Sequence, residues 1–404
     1  MIHNCNSDDS DNHDDDDVDY DFDIIVNDDN DVNNVIETIL LLIDENNMNK
    51  IELFHVLIET FSTFFTEEEI EIYMNYAYTI YSIIFEKDDD DIITLQKKID
   101  FLRQQIQPPQ RTLEWYEFRH NMITASNVYK ALGSQCSINN LIVEKCQPMQ
   151  TNISTNEQMI NTNSPMHWGQ KYEPISVEIY EHKYQTKVEL FGCIRHSQYS
   201  FLGASPDGIN VDITSPLYGR MLEIKNVVSR QITGIPKNEY FIQMQLQMEV
   251  CNLNSCDFLE TKFMEYENKW DYENDGCSDI LLKGYFIFFM DSTTLTPYYI
   301  YKPIDLIDPL LIKEWDKKVF DTYTSSPYNW KWAKRCYWKL ITLSCVLVQR
   351  DQKWFQQNIM KINECWNIIE KERINGEYIS RLPIKKMKIE KKQELSSGLL
   401  LSIE

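Results

Sequence analysis

The sequence predicts an α/β domain: a central mixed sheet flanked by helices, with a helical region and an acidic tail ahead of it. Three observations carry that expectation. Runs rich in β-branched and aromatic residues recur across 188–224 and 258–301, the composition of half-buried strands. Segments with apolar residues at helical spacing stand before and between them, at 111–133, 165–184 and 238–250. Finally, SPDGINVDITSPLYGRMLEIK (205–225) reads as a turn, a hairpin and a short apolar strand.

Residues 1–31 carry thirteen aspartates and no lysine or arginine, in a chain of 404 residues and net charge −24. Such a run buries no apolar area and is expected to be a disordered, solvating tail, with nucleic-acid mimicry or docking of a basic partner as alternatives. The remainder is mildly acidic, so no strong basic clamp for nucleic acid is evident. Residues 32–107 read as a helical domain. Ile36, Ile39, Leu40 and Ile43 fall at helix spacing, as do Leu53, Val56, Leu57 and Phe61; further helices fit 67–85 and 92–106, with Asp88 to Asp91 as the break. Pro108-Pro109 closes the region. The apolar run from Val35 to Ile43 is too short to span a bilayer, and the acidic start does not suit a secretory leader.

Residues 108–305 hold the candidate chemistry. Trp115, Phe118 and Met122 make an apolar helical face with Arg119 one residue off it. A second helix is expected to begin near Thr124-Ala125-Ser126, where free N–H groups, a hydroxyl and a guanidinium would cradle a phosphate; an N-cap beside a surface arginine is the plainer reading. The helix 165–184 sets Trp168, Tyr172, Ile175 and Ile179 on one face, with Glu173 beside it. His167, His182 and His196 share no spacing, so structural roles are expected of them. Strands are expected at 188–194, 201–204, 209–211 and 221–224, then at 258–266, 284–290 and 297–301. Glu223 and Lys225 fall on one face of their strand, and Asp207 in the Pro-Asp-Gly turn can meet Glu223. Two hard oxygen ligands beside an ammonium suit Mg²⁺, a phosphate and an attacking water. On its own, Glu-x-Lys also fits a solvated strand face.

Residues 306–375 read as a C-terminal helical extension, with helices at 305–320 and 330–372. Trp315, Trp330, Trp332, Trp338, Trp354 and Trp366 are expected to pack in its core more than to stack on bases. Residues 376–404 read as a flexible basic tail; RLPIKKMKIEKK (381–392) would touch DNA, act as a nuclear signal, or do neither. The ten cysteines form no CxxC pair or even framework. This argues against a zinc ribbon, an iron–sulfur site or a disulfide scaffold, and for a reducing intracellular compartment.

Trp115-x-x-x-Arg119, Ile123-Thr124-Ala125-Ser126, Gly169-x-x-x-Glu173, Ser205-Pro206-Asp207-Gly208, Glu223-Ile224-Lys225 and Tyr240-x-x-Gln243-x-Gln245 occur in one order. That ordered set resembles the YqaJ-type viral recombinases, relatives of phage lambda exonuclease in the PD-(D/E)XK nuclease superfamily, over roughly residues 110–257. The resemblance implies a PD-(D/E)XK restriction-endonuclease-like core and a Mg²⁺-dependent exonuclease on linear double-stranded DNA, with Mn²⁺ able to substitute. It implies that Asp207, Glu223 and the Ile224 carbonyl hold the metal, and that Lys225 polarises the water. Glu173 would support the metal or the water, Gln243 would position the water or the lysine, and Arg119 with Ser126 would hold the 5′-phosphate of the DNA end. Thr124 is left as a helix cap. A single-strand annealing protein and further copies of the chain are implied partners, in a host cytoplasm, a viral replication site or a nucleus; no membrane is. The 217–220 hairpin is longer than the motif needs. A structure-specific or nicking endonuclease with the same metal site is the alternative enzyme. A nuclease-fold DNA-binding or scaffold protein without turnover is the alternative of another class.

Overall fold

The computed structural model describes residues 90–110, 112–149, 161, 162 and 164–382, with isolated residues 57, 66 and 70. The chain divides into two compact units, 1–78 and 79–404, and the second holds the fold described here. The acidic tail, the helices expected between 36 and 85 and residues 383–404 of the basic tail lie outside the described residues, whereas the start expected of that flexible tail is ordered as a short 3-10 turn (Glu377–Arg381) with Arg381 paired to Glu372.

The first element, α1 (Ile92–Gln104), starts where Asp91 Oδ1 accepts from Thr94 N at 2.7 Å. Its Leu95, Ile99 and Leu102 enter the main core, so this segment belongs to the α/β unit and not to a separate helical domain. Next come α2 (Leu113–His120), β1 (Ile123–Thr124), α3 (Val128–Leu132), α4 (Gln135–Cys146) and α5 (Pro165–Tyr184). Short strands follow: β2 (Val188–Glu189), β3 (Ile194–Arg195), β4 (Leu202–Ala204) and β5 (Gly208–Asn210). The chain continues through β6 (Met221–Asn226), α6 (Asn238–Cys251), β7 (Ser255–Glu265), α7 (Lys269–Asn274), β8 (Lys283–Met290) and β9 (Pro297–Tyr301). It closes with α8 (Pro309–Tyr323), β10 (Lys331–Gln349) and α9 (Gln352–Asn375). Among the described residues, no helix is long and apolar enough to cross a membrane.

Seven strands form one sheet in the order β2-β5-β6-β7-β10-β8-β9. β6 and β7 run parallel and the other neighbours antiparallel, so the sheet is mixed. Along β6 the side chains alternate between two layers. Leu222 and Ile224 pack with Tyr180 of α5; Met221 joins the core built from α6, and Glu223 meets that helix through hydrogen bonds. A helix thus covers each face of the strand that carries the Glu-x-Lys motif. A second sheet, β1-β4-β3, sits just before the Pro-Asp-Gly turn.

Several expectations need correction. Residues 331–349 form not a helix but a 19-residue strand, lying between β7 and β8 in the middle of the sheet, so residues 306–375 are not a helical extension. Trp330 and Trp332 stand two apart, and Ile341-Thr342 and Val346/Val348 are β-branched: the strand period and composition outweigh the aromatic count. Trp338 and Trp366 are buried as expected, whereas Trp332 is 54 % exposed. The 188–194 run splits into β2 and β3, one in each sheet. No helix begins at Thr124, which pairs with Gly203 in β1 and is no cap; the short α3 starts at Val128 after Asn127.

Candidate active site

The long hairpin between β5 and β6 is held from below. Gly219, at φ +82°, lies so close to Leu95 of α1 that a Cβ there would come within 2.8 Å of a leucine methyl. Tyr218 Oη donates to Gln96 Oε1 at 2.6 Å. These contacts seat the hairpin on α1, and β5 pairs with β6 in the register Gly208 with Leu222. The extra hairpin residues therefore leave the motif geometry intact: Asp207 Oδ2 accepts from Ile224 N at 2.7 Å.

Glu223 is only 1 % exposed. Its Oε1 accepts from Gln243 Nε2 at 2.7 Å and from the Lys225 ammonium, and its Oε2 accepts from Gln247 Nε2 at 2.7 Å. Burying a carboxylate is costly unless such donors and a counter-charge accompany it. Lys225 Nζ also reaches Gln243 Oε1 at 3.4 Å and lies 5.0 Å from the centre of the Tyr240 ring. Burial, then the charges of Glu223 and Glu173, push Asp207 well above the usual carboxylate range, against the pull of Lys225 and the Ile224 N–H. Burial works to lower Lys225, but Glu223 and Asp207 outweigh it and hold the ammonium above the ordinary lysine value.

Arg119 connects this centre to the start of the domain. Its Nη1 donates to Ser205 Oγ and its Nη2 to Ser126 Oγ, both at 3.3 Å, and the guanidinium lies 4.6 Å from the centre of the Trp115 ring. Lys145 Nζ donates to the Arg119 carbonyl at 2.9 Å, and burial pushes that lysine down to about 8. Arg119, Ser126, Glu173, Asp207, Glu223, Ile224, Lys225 and Gln243 all line one open cleft of about 700 Å³, with Arg230 and Lys237 adding positive charge. Every residue to which the resemblance assigns the metal, the water or the 5′-phosphate is brought to it. The three histidines are not: among them, His167 bonds Tyr299 and His196 accepts from the Gln198 and Tyr199 amides.

One further residue of α6, outside the motif, faces Glu223. Gln247 is fully buried, and its Nε2 bonds both Glu223 Oε2 and, at 3.3 Å, the Ser205 carbonyl. Its Oε1 is buried with no hydrogen-bond partner among the described residues. Standing four residues from Gln243, it occupies the same helix face one turn on, and that spacing was its signal. Gln245 points elsewhere: it bonds the Gln349 carbonyl and the Asp351 amide and ties α6 to the end of β10.

A mixed sheet that presents an acid from the turn before β5 to a Glu-x-Lys on β6, between covering helices, is a PD-(D/E)XK-type α/β nuclease fold. Residues 114–254 match the model of the YqaJ-like viral recombinase domain. An uncharacterised protein of Acanthamoeba polyphaga mimivirus is 26 % identical over 319 residues, covering 70 % of this chain; the chain spans 57 % of that relative's length. Among solved structures, an alkaline exonuclease from Laribacter hongkongensis aligns with TM-score 0.38 and 20 % identity, over 69 % of this chain and 100 % of that one. A phage-related exonuclease from Haemophilus somnus aligns with TM-score 0.32 and 13 % identity, over 64 % and 95 %.

Proposed function

We propose that this protein is a Mg²⁺-dependent exonuclease that degrades linear double-stranded DNA from its ends, in viral recombination, repair or end processing. The observation that carries the reading is the convergence, in one cleft, of Asp207, Glu223, Lys225 and Gln243 with the Arg119–Ser126 pair. A non-catalytic scaffold would have no need of so costly a set of buried charges.

The residues fit a magnesium ion. Among the described residues no three His, Cys, Asp or Glu side chains form a ready cage, but Mg²⁺ keeps several waters and is commonly bound through one or two carboxylates plus substrate phosphates. Asp207 and Glu223 would supply those carboxylates, with the Ile224 carbonyl beside them. Burial first, and then the charges of Glu223 and Glu173, raise Asp207, and a divalent cation held there would offset both. When bound, the ion would supply Lewis-acid polarisation of the scissile phosphate. The protein's own groups do the rest: Lys225 offers a positive charge to the developing phosphorane oxygens, Gln243 orients Lys225 and Glu223, and Arg119 with Ser126 fixes the strand end.

The direct test is an end-labelled linear duplex digested with and without Mg²⁺, beside a closed circle of the same sequence. Mononucleotides from linear DNA alone select the exonuclease; cutting of the circle selects the endonuclease. An annealing protein that takes up the exposed single strand and association with further copies of the chain belong to the same proposal. So does an intracellular reducing compartment, which the nine described cysteines, all free, support.

Two further results are expected. A terminal 5′-phosphate carries a charge and an oxygen that an internal phosphodiester lacks, and a charge-assisted contact to it is worth roughly 1.5–3 kcal/mol, about ten- to a hundredfold in rate. Duplex ending in a 5′-phosphate should be degraded faster than the same duplex ending in a 5′-hydroxyl, and Arg119→Ala should erase that preference more than it slows 5′-hydroxyl ends. Equal rates on the two ends in the parent enzyme, measured at fixed salt, would reduce Arg119 to a structural role. Gln247→Ala should free one oxygen of Glu223 and raise the Mg²⁺ concentration needed for half-maximal activity by about 10–100-fold, since outer partners of metal ligands act on that scale. An unchanged Mg²⁺ titration would leave Gln247 as packing only.

A further inference from the structure

The helix that carries Arg119 has little of its own to hold it in place. α2 is eight residues long and none of them is buried, and a helix this short is marginal in water without help. Thr112 caps its start, accepting from the Trp115 amide at 3.2 Å. At the other end the last turn leaves carbonyls that no amide of the helix reaches. Two cations from other helices take them. Lys145 of α4, only 5 % exposed, donates to the Arg119 carbonyl at 2.9 Å. Arg373 of α9 donates through Nη2 to the His120 carbonyl at 2.7 Å and to His120 Nδ1 at 3.2 Å, and through Nη1 to Asn121 Oδ1 at 3.2 Å. Its Nε donates to the Lys145 carbonyl at 2.8 Å, and its guanidinium lies 5.3 Å from the centre of the Trp366 ring. The two cations thus hold one another as well as the end of α2, where they also meet the negative end of the helix dipole.

The Arg119 guanidinium itself has only the two 3.3 Å bonds to Ser205 and Ser126 and the Trp115 ring, so its place follows that of its backbone. From this clamp on an otherwise unburied helix, and resting on the 5′-phosphate reading above, we propose that Lys145 and Arg373 are positioning residues for recognition of the DNA end. They bond the backbone of α2 and not the DNA, and they set its last turn so that Arg119 meets a terminal 5′-phosphate. Arg373 stands outside residues 114–254, which match the family model, so α9 takes part in end recognition from beyond that region.

The clamp carries its own dependence on pH. Around Lys145 stand Arg119 and His120 of α2, Lys130 of α3, Glu144 of its own helix and Arg373 of α9. Burial first, then the charges of Arg119, Arg373 and Lys130, bring Lys145 down to about 8 against the pull of Glu144, which Lys130 already pairs at 2.7 Å. Burial also pushes His120 below its ordinary value, so it stays neutral above about pH 7. When Lys145 loses its proton, a charge-assisted bond to the Arg119 carbonyl becomes a neutral one of about half the strength, and the helix end loses a cation. A terminal phosphate, with a second pKa of about 6, does not titrate in the same range.

The test uses the full chain with Mg²⁺ at fixed salt and measures the ratio of rates on 5′-phosphate and 5′-hydroxyl duplex ends from about pH 7 to 9.5. Steps common to both ends cancel in that ratio, which leaves the contact to the terminal phosphate. In the parent the ratio should fall by about fivefold or more as pH passes 8, the scale of a cation at a partly buried helix C-terminus. Lys145→Met should show the low ratio already at pH 7 and no further fall. Lys145→Arg, whose cation does not titrate here, should hold the high ratio to pH 9.5. Arg373→Met should lower the ratio at every pH. Damage to folding alone slows both ends alike and leaves the ratio where it was, and the parental profile needs no variant at all. A parental ratio flat to pH 9.5, or a Lys145→Met or Arg373→Met enzyme that keeps the parental ratio, would overturn the inference and leave the 5′-phosphate reading standing. Equal parental rates on the two ends at pH 7 would overturn that reading and the inference with it.

Discussion

Asp207→Asn and Glu223→Gln should each lower Mg²⁺-dependent cleavage by at least about 10³-fold, since several kcal/mol of transition-state charge stabilisation depend on the ion they would hold. The isosteric amides are chosen for a structural reason. Glu223 receives Lys225, Gln243 and Gln247 in a buried setting, and truncation to alanine would strand those donors at about 1–3 kcal/mol each. The two variants should also differ from the parent in a way that needs no turnover. Burial and the neighbouring acids raise Asp207 in the folded state above its ordinary value of 3.8. A group raised in this way favours the fold below its unfolded pKa and costs stability as pH climbs through and beyond its folded one. At neutral pH and without Mg²⁺, Asp207→Asn should therefore raise Tm, by about 2–4 °C for each kcal/mol recovered, and the gain should shrink as pH falls toward 4. Added Mg²⁺ should stabilise the parent and not the variant. Thermal melts across pH and Mg²⁺ read both effects, and a variant that keeps near-parental turnover would remove Asp207 from the metal site.

Lys225→Ala should reduce kcat by about 10²-fold or more while shifting DNA affinity by less than about tenfold, because its ammonium meets charge that develops only in the transition state. The structure adds a constraint on pH. Glu223 and Asp207 hold Lys225 above the ordinary lysine range despite burial, so the ammonium stays charged through the working range. Any alkaline fall in rate must then have another source. Lys145, pushed down to about 8 and bonded to the Arg119 carbonyl, is such a source. Single-turnover rates and binding curves for the parent and Lys225→Ala separate the two roles. A loss of affinity as steep as the loss of rate would make Lys225 a phosphate anchor.

The fold and the site were legible to different depths. Residues 165–184 and 238–251 announce their helices through side chains that repeat every turn, and 221–226 announces a strand through alternation; these are local properties written in local spacing. The motif identities were equally plain. Residue type alone left Glu-x-Lys open to a solvated strand face and Arg119 to a surface position; the ordered set of motifs is what pointed to charge stabilisation around a phosphate. The partners of those residues were not legible. Gln247 reads as one of three polar positions on a helix until α6 lies on β6 and turns it onto Glu223, while Gln245, two residues away, is turned to Asp351.

Long-range pairing decided the rest. Residues 331–349 look ambiguous by themselves, because apolar and aromatic content serves a helix or a strand equally well. The slot between β7 and β8 makes them a strand, and Gly284 is the glycine that leaves room there for the Trp338 ring. The hairpin before Glu223 could have displaced Asp207, and the contact of Gly219 and Tyr218 with α1, together with the β5–β6 pairing, keeps the turn in register. Sequence by itself determined which motif residues line the cleft, since identity and period are local. Tertiary structure decided how they face one another, since a carboxylate's charge and a lysine's partners are set by side chains from different elements, the turn before β5, β6, α5 and α6.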